Sequence, residues 1–242
     1  MLLNLKRVTG LRYVMPVIFV SLLLGACSPT AKLKNTPSVK QFAPEIAKFD
    51  SLNNAENYPT DAILFTGSSS IRLWNTIEED MAPYHVIRRG FGGAKIEDLA
   101  YYLHRIVYPL NFKAIVFFAG TNNITGAAND MPEDSILHWV KLINHQVRRK
   151  YPIVPIFWIA ITPVNSRIKV MDKVFAMNKD LKAICEESKN MYFIDTEKSF
   201  LGADGKPKSD LFISDQLHLN RAGYILWTSI IKENLDSRLN PN

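Results

Sequence analysis

Three consecutive serines follow a short apolar run near residue 65 of the chain. Ser69 is the middle one, in the segment Gly67-Ser68-Ser69-Ser70. At a turn from a buried strand into a helix, the Ser69 hydroxyl would be exposed at the edge of a sheet, where the helix start favours negative charge. Ser69 is therefore a candidate nucleophile, although a serine at such a turn is also an ordinary helix cap.

An aspartate and a histidine lie three residues apart near the carboxyl end, in Asp215-Gln216-Leu217-His218. In a turn, this spacing lets the Asp215 carboxylate accept the Nδ1 hydrogen of His218 and leaves Nε2 free as a general base. The pair can thus supply the acid and the base of a serine hydrolase. A helix-capping turn with a surface histidine is the alternative interpretation.

Two further turns combine small residues with a candidate hydrogen-bond donor. Asn122 lies in Gly120-Thr121-Asn122-Asn123, and its NH2 group can donate to an oxyanion. Gly93 ends the segment Gly90-Phe91-Gly92-Gly93, whose backbone can approach a ligand closely. Taken singly, each segment predicts only a turn or a loop.

Short apolar runs predict five buried strands with helices between them. The runs are residues 62–66, 86–88, 114–119, 153–161 and 191–194. Apolar residues with helical spacing occur over 136–147 and 174–184, and a final helix is predicted from Arg221 to about Leu239. This alternation predicts an α/β three-layer sandwich, in which helices cover both faces of a parallel sheet. Reacting groups are then expected beyond the carboxyl ends of the strands.

The four segments, in this order, resemble the motifs of the SGNH or GDSL-like serine hydrolases. Members of that superfamily carry Gly-Asp-Ser near the amino end, then a glycine, then Gly-x-Asn-(Asp), and finally Asp-x-x-His. The resemblance spans Ile63 to about Trp227. It implies a flavodoxin-like α/β/α sandwich with a five-stranded parallel sheet, and an ester hydrolase that uses neither a metal nor an organic cofactor.

The resemblance also implies a role for each matching residue. Ser69 matches the nucleophile, Asp215 the acid and His218 the base of a catalytic triad. The oxyanion hole would consist of the Ser69 and Gly93 N–H groups and the Asn122 amide. Ser69 would attack the ester carbonyl to give an acyl-enzyme that water hydrolyses.

Two positions depart from the usual motifs. Ser68 stands where the aspartate of Gly-Asp-Ser is usual, and Asn123 stands where an aspartate often follows the asparagine. Neither position belongs to the triad or the oxyanion hole, so the implied mechanism is retained. The serine-rich turn leaves Ser68 and Ser70 as rival nucleophiles.

The implied substrate is a carboxylic ester of a small molecule, a glycan or a lipid. The sequence has no extra apolar lid segment for a long chain, which favours an acetyl or other short acyl ester, such as one on a polysaccharide. A lysophospholipase- or lipase-type hydrolase is the alternative. A catalytically silent glycan- or lipid-binding lipoprotein is a further alternative, which the presence of all five motif residues disfavours.

The amino-terminal segment has the pattern of a lipoprotein signal. Lys6, Arg7 and Arg12 precede the apolar run 14–24, which is too short to span a membrane comfortably. Leu24-Gly25-Ala26-Cys27 resembles the bacterial lipobox, whose cysteine is lipidated. We expect a signal peptide over 1–26, a lipidated tether over 27–40 that begins at Cys27, and the hydrolase domain over 41–242. The protein would then be anchored at the bacterial cell envelope, on the periplasmic or the cell-surface face.

Composition sets further limits on function. The 242 residues, 47% of them apolar and 21% charged, are typical of one globular domain. The net charge of +6 comes without a basic block interleaved with aromatic residues, so nucleic-acid binding is not expected. Metal-ligand Cys/His spacing is absent, and Cys185 is expected to be buried on a helix. The basic clusters 88–89 and 148–150 are expected at solvated ends of secondary elements.

Overall fold

Five short strands form one parallel sheet in the computed structural model, which describes residues 29–239. The strands are β1 (Ile63–Gly67), β2 (Val86–Gly90), β3 (Ala114–Phe118), β4 (Ile156–Ile159) and β5 (Met191–Ile194). Their order is β2-β1-β3-β4-β5, and every neighbouring pair is parallel. The strand order reverses between β1 and β3, and folds of this kind bind ligands beyond the carboxyl ends of the strands at that point.

Helices connect the strands and cover both faces of the sheet. They are α1 (Pro37–Ala55), α2 (Ser69–Arg72), α3 (Ile77–Met81), α4 (Ile96–Ile106), α5 (Glu133–Lys150), α6 (Met171–Glu186) and α7 (Arg221–Leu239). Short 3-10 segments lie at Ala31–Leu33, Asn165–Val170, Lys198–Phe200 and Ser209–Leu211. Helices α5, α6 and α7 contain the helical ranges that the sequence predicts, whereas the sequence patterns do not predict α1 and α4.

The two faces of the sheet bury separate apolar clusters. Side chains alternate along each strand, so Leu64 packs in one cluster and its neighbour Phe65 packs in the other. Helices α1, α4, α5 and α6 contribute to the first cluster, and α2, α3 and α7 contribute to the second. The predicted three-layer α/β/α sandwich with five parallel strands is confirmed.

Helix α1 begins at Pro37, before the expected start of the domain at Gln41. The Val39 N–H donates to the Thr36 side-chain oxygen at 3.3 Å, which caps the helix. Proline suits the first turn because its missing N–H is not needed there. Val39 and Phe42 are buried in the core. Residues 37–40, which the sequence assigns to the lipidated tether, therefore form the start of a packed helix, while the expected signal peptide and Cys27 lie outside the described residues.

Arg89 on β2 is buried, contrary to the expectation of a solvated basic pair. Its Nη2 donates to Asn53 Oδ1 at 2.8 Å and to the Tyr58 OH at 3.3 Å. The guanidinium also lies over the Phe49 ring, 5.6 Å from its centroid. The Arg148 side chain is not simply solvated either, because it donates to backbone carbonyls in the segments before β4 and β5. Both side chains bind one part of the fold to another.

Cys185 lies on α6 and is buried, as its helical spacing predicts. Burial raises the pKa of its thiol to about 12, so the reactive thiolate form is scarce at neutral pH. Within residues 29–239, no helix has the length and the apolar character needed to cross a lipid bilayer.

Candidate active site

The turn after β1 presents Ser69 at the edge of the sheet. Gly67 has a φ of +139°, and a Cβ atom there would lie 1.9 Å from the Phe118 carbonyl oxygen on β3, so the position requires glycine. The Ser68 N–H donates to the same carbonyl at 2.9 Å, and α2 begins at the next residue. Ser68 and Ser70 are buried, whereas Ser69 is half-buried. Of the three serines, the middle one is therefore the most accessible.

Tyr224 on α7 holds this turn from the other end of the chain. Its OH donates to the Ser70 carbonyl at 2.9 Å, between residues that are 154 positions apart. Its ring stacks on Trp74, with centroids 5.4 Å apart. Burial raises the pKa of Tyr224, so the phenol remains protonated and can donate. No sequence motif marks this residue as part of the site.

His218 lies between Ser69 and Asp215 and contacts both. Its Nε2 is 2.9 Å from the Ser69 Oγ, and its Nδ1 is 2.6 Å from Asp215 Oδ2. With a hydrogen on Nδ1 donated to the carboxylate, Nε2 is the acceptor for the serine hydroxyl. Such a relay can remove the proton of the serine as its oxygen attacks an electrophile.

Hydrogen bonds keep the Asp215 carboxylate charged. Burial alone would raise its pKa, but the backbone N–H of His218, the imidazole of His218 and the backbone N–H of Leu217 donate to it and lower the pKa below its ordinary value. The carboxylate is therefore ionised at neutral pH. An ionised carboxylate can orient the imidazole and stabilise the imidazolium that forms when His218 accepts a proton.

The Asp-x-x-His segment forms a tight turn rather than a helix cap. Gln216 has a φ of 54°, in the left-handed region, which reverses the chain between the aspartate and the histidine. The Ile213 N–H donates to the His218 carbonyl at 2.9 Å and closes the turn. The alternative of a capping turn with an unpartnered surface histidine does not hold.

Asn122 and Gly93 lie on two neighbouring segments. The Asn122 Nδ2 donates to the Ala94 carbonyl at 3.0 Å, which leaves the second hydrogen of its NH2 group available. Gly93 has a φ of +83°, with open space where a Cβ atom would lie, and it does not line the cavity at Ser69. Within residues 29–239, the N–H groups of Ser69 and Gly93 donate to no backbone or side-chain acceptor.

Asn123 is buried next to Asn122 and contacts the start of α4. Its Oδ1 accepts from the Ile96 N–H at 3.0 Å, and its Nδ2 donates to Glu97 Oε2 at 2.8 Å. The residue thus uses both the acceptor and the donor of its amide. The sequence marks Asn123 only as a departure from the usual aspartate, and it gives no signal for Glu97.

A small cavity opens at Ser69, and the space in and immediately above it, open solvent included, is about 330 Å³. Polar and apolar side chains share its lining, and the apolar part includes Phe118, Val164, Leu217 and Leu219. Thr162 also lines it, and its buried hydroxyl has no hydrogen-bond partner among the described residues. No group of His, Cys, Asp and Glu side chains in the described part of the chain is arranged to hold a metal ion.

Known proteins place the chain in a family. Residues 62–226 match the GDSL-like Lipase/Acylhydrolase family. A Streptococcus pneumonia protein named for platelet activating factor superposes with a TM-score of 0.74 and 24% identity, over 85% of this chain and 97% of its own. A GDSL-like lipase from Bacteroides thetaiotaomicron superposes with a TM-score of 0.66 and 18% identity, over 82% of this chain and 97% of its own. An acetyl xylan esterase superposes with a TM-score of 0.61 and 18% identity, over 72% of this chain and 99% of its own.

These solved structures show the same fold. No curated protein shows significant similarity to the sequence. The family match extends from the residue before β1 into α7, so it includes every segment that carries the candidate site. The chain is a member of the GDSL-like lipase/acylhydrolase family of ester hydrolases.

Proposed function

We propose that the protein is a serine esterase that hydrolyses a carboxylic ester through an acyl-enzyme on Ser69. The observation that carries this proposal is the continuous contact from Asp215 through His218 to the Ser69 Oγ, with distances of 2.6 and 2.9 Å. Nucleophile, base and orienting acid need this order and these distances.

In the acylation step, His218 Nε2 takes the proton of Ser69 as the Oγ forms a bond to the ester carbonyl carbon. The negative charge that develops on the carbonyl oxygen is stabilised by the Ser69 and Gly93 N–H groups and the free Asn122 amide hydrogen. The ester C–O bond then breaks, and the imidazolium gives its proton to the leaving alkoxide. Among the described residues, the two backbone N–H groups have no protein acceptor, which supports this role.

In the deacylation step, water takes the place of the departed alcohol. His218 accepts one proton of the water as its oxygen attacks the acyl carbon, and the same donors stabilise the second oxyanion. The bond from Ser69 Oγ to the acyl carbon breaks, and His218 returns the proton to the serine. The cycle needs no metal and no organic cofactor.

The acyl group that the site accepts is short, such as an acetyl group on a polysaccharide. The cavity at Ser69 is small, and it has no deep apolar channel for a long chain among its lining residues. An acetyl xylan esterase is among the proteins that share the fold. The alternative is a lysophospholipase- or lipase-type hydrolase, since a GDSL-like lipase also shares it.

The protein acts at the bacterial cell envelope, held by a lipid on Cys27. Support comes from the basic start, the apolar run and the Leu24-Gly25-Ala26-Cys27 segment of the sequence. A packed domain that begins by Pro37 would leave a short connection between the lipid and the enzyme. The site would then be presented to substrates close to the membrane surface.

Hydrolysis of p-nitrophenyl esters and labelling with a fluorophosphonate test the esterase. Wild-type protein is expected to hydrolyse the acetyl ester faster than the octanoyl ester, and mass spectrometry should locate the adduct on Ser69. Ser69→Ala and His218→Ala should each lower kcat by on the order of 10⁴ to 10⁶, and the double variant should lose little more, because the two residues act as a unit. An adduct on Ser68 or Ser70 would contradict the assignment, and a preference for octanoyl would favour the lipase-type alternative.

A further inference from the structure

Two adjacent asparagines join the turn after β3 to the segment that leads into α4. Asn122 donates to the Ala94 carbonyl at 3.0 Å. Asn123 accepts from the Ile96 N–H at 3.0 Å and donates to Glu97 at 2.8 Å. The segment held in this way begins directly after Gly93. The two segments that carry the proposed oxyanion donors are therefore bound to each other by three hydrogen bonds.

The contact between Asn123 and Glu97 lies in a poorly solvated place. Asn123 is 1% exposed, and burial raises the pKa of Glu97 while the hydrogen bond from Asn123 opposes that rise. Among the charged neighbours of Glu97, Asp98 raises its pKa and Lys95 lowers it. The Asp98 carboxylate makes other contacts, since it accepts from the Ser38 hydroxyl and the Lys95 N–H.

The amide of Asn123 is matched to the carboxylate that it faces. One side of the amide accepts from a backbone N–H and the other donates to Glu97, and an ionised aspartate can perform only the first of these tasks. An aspartate here would place two carboxylates at hydrogen-bond distance in a buried site, where they repel strongly. The neighbouring glutamate is therefore a physical reason for an amide rather than a carboxylate at position 123.

We propose that Asn123 and Glu97 are positioning residues that fix the Asn122 amide and the Gly93 N–H relative to each other, and that Glu97 makes an amide necessary at position 123. The inference rests on the proposed esterase function of the same site. Neither residue lines the cavity at Ser69. Their loss would move the oxyanion donors and lower kcat, while KM would change little, because the donors act on the transition state.

A double-mutant cycle tests this pairing. Asn123→Asp should lower kcat for p-nitrophenyl acetate by on the order of 10- to 100-fold at about pH 9, where the two carboxyls cannot share a proton. Glu97→Gln should stay near the wild-type kcat, because the glutamine oxygen can accept from Asn123. Combining the two should recover most of the loss, because the glutamine NH2 group can donate to the new aspartate. That rescue requires non-additive behaviour, as expected of residues in contact.

Asn144→Asp is the matched control. Asn144 is also a buried asparagine, but it accepts from the Trp158 indole between α5 and β4. This variant should lower thermal stability and leave kcat near that of the wild type. If Asn123→Asp fails to fold, Glu97→Ala removes the acceptor of the same contact and should lower kcat by a few fold, roughly the effect of one lost second-sphere hydrogen bond.

The outcomes separate this inference from the proposed function. Wild-type activity in Ser69→Ala would overturn the esterase assignment itself. If Ser69→Ala is inactive, two results would overturn the pairing. One is a kcat for Asn123→Asp within about twofold of wild type, because substitution of one of two coupled residues has a larger effect than this. The other is a double variant whose kcat is no higher than that of Asn123→Asp alone. A rise in KM with kcat intact would make Asn123 a substrate-binding residue and would also overturn it.

Discussion

The side-chain amide of Asn165 donates a hydrogen bond to the side-chain oxygen of Gln216 at 2.9 Å. Asn165 lies in the segment after β4, and Gln216 is the left-handed residue between Asp215 and His218. The backbone reinforces the contact, since the Ser166 N–H donates to the Gln216 carbonyl at 3.1 Å. The turn that carries the proposed acid and base is thus held from outside by the loop that follows a neighbouring strand.

Loss of the Asn165 amide should weaken this support. Asn165→Ala is expected to lower kcat by about tenfold with a small change in KM, because the orientation of His218 loosens while substrate contacts remain. Steady-state kinetics with p-nitrophenyl acetate measure both values. Ser166→Ala is the control, since it keeps the backbone contact and removes an exposed hydroxyl. Equal activity of Asn165→Ala and Ser166→Ala would argue that the Asn165 side chain does not hold the turn that carries His218.

Asn122 is expected to act mainly on kcat. Asn122→Ala should lower kcat by roughly 10² to 10³, about 3 to 4 kcal/mol, because its amide donates to charge that exists only in the transition state. Asn129→Ala, in the exposed loop that follows, should behave like the wild type. A raised KM with an unchanged kcat would show that Asn122 binds the ground-state substrate instead.

Gly67 should be intolerant of any side chain. Gly67→Ala combines a positive φ with a Cβ atom 1.9 Å from the Phe118 carbonyl oxygen, and we expect a loss of at least about 2 kcal/mol of unfolding free energy. Gly205→Ala is a matched control, since Gly205 also has a positive φ but open space around the Cβ position. Denaturant titration of both variants separates the steric clash from the backbone strain, and equal losses would show that the clash relaxes.

Asp80 should contribute stability that disappears in acid. Its carboxylate is 6% exposed and accepts from Arg221, Trp74 and Thr76. Burial alone would raise its pKa, but these hydrogen bonds lower it from 3.8 to about 2. Because the folded pKa is the lower one, the contribution is complete above about pH 4 and is lost as the pH falls toward 2.

Substitution of Asp80 measures this contribution. Asp80→Asn should lower the unfolding free energy by about 1 to 2 kcal/mol at neutral pH, and the difference from wild type should shrink between pH 4 and pH 2. Glu187→Gln, at an exposed carboxylate, should leave the pH profile unchanged. A difference that stays constant down to pH 2 would mean that ionisation of Asp80 is not what stabilises the fold.

Lipidation of Cys27 is expected to determine the location of the protein. Wild-type protein should fractionate with membranes that detergent solubilises, and Cys27→Ser should leave that fraction, because no helix within residues 29–239 can span a membrane. Esterase activity per molecule should be equal in the two forms. If Cys27→Ser protein stays with the membrane fraction as completely as wild-type protein does, another part of the chain binds the membrane.

The sequence predicts the parts of the site whose geometry is local. Asp215 and His218 are three residues apart, so a turn alone brings them together, and Ser69 needs only a strand that ends at the same edge of the sheet. The parallel sheet itself follows from apolar runs that alternate with helical patterns. These features can therefore be predicted from residue type and spacing alone.

Other features depend on partners far along the chain and could not be predicted. The polar, proline-containing sequence around Pro37 is typical of a linker. Pro37 nevertheless begins a helix, because Val39 and Phe42 on that helix pack into the core. Arg89 is buried because Asn53 and Tyr58 receive its hydrogen bonds. The Asn123–Glu97 contact likewise joins residues 26 positions apart. In each case a polar or structure-breaking residue is accommodated by a specific neighbour that composition does not reveal.

The hydrogen bond from Tyr224 to the Ser70 carbonyl has a consequence for the timing of activity during synthesis. The serine turn emerges from the ribosome early, but its support and its proposed base and acid all lie in the last part of the chain. A nascent chain that has not yet released α7 therefore has no complete site. If the proposed triad is the active site, the enzyme gains esterase activity only after its last helix has been made, because its first motif depends on that helix.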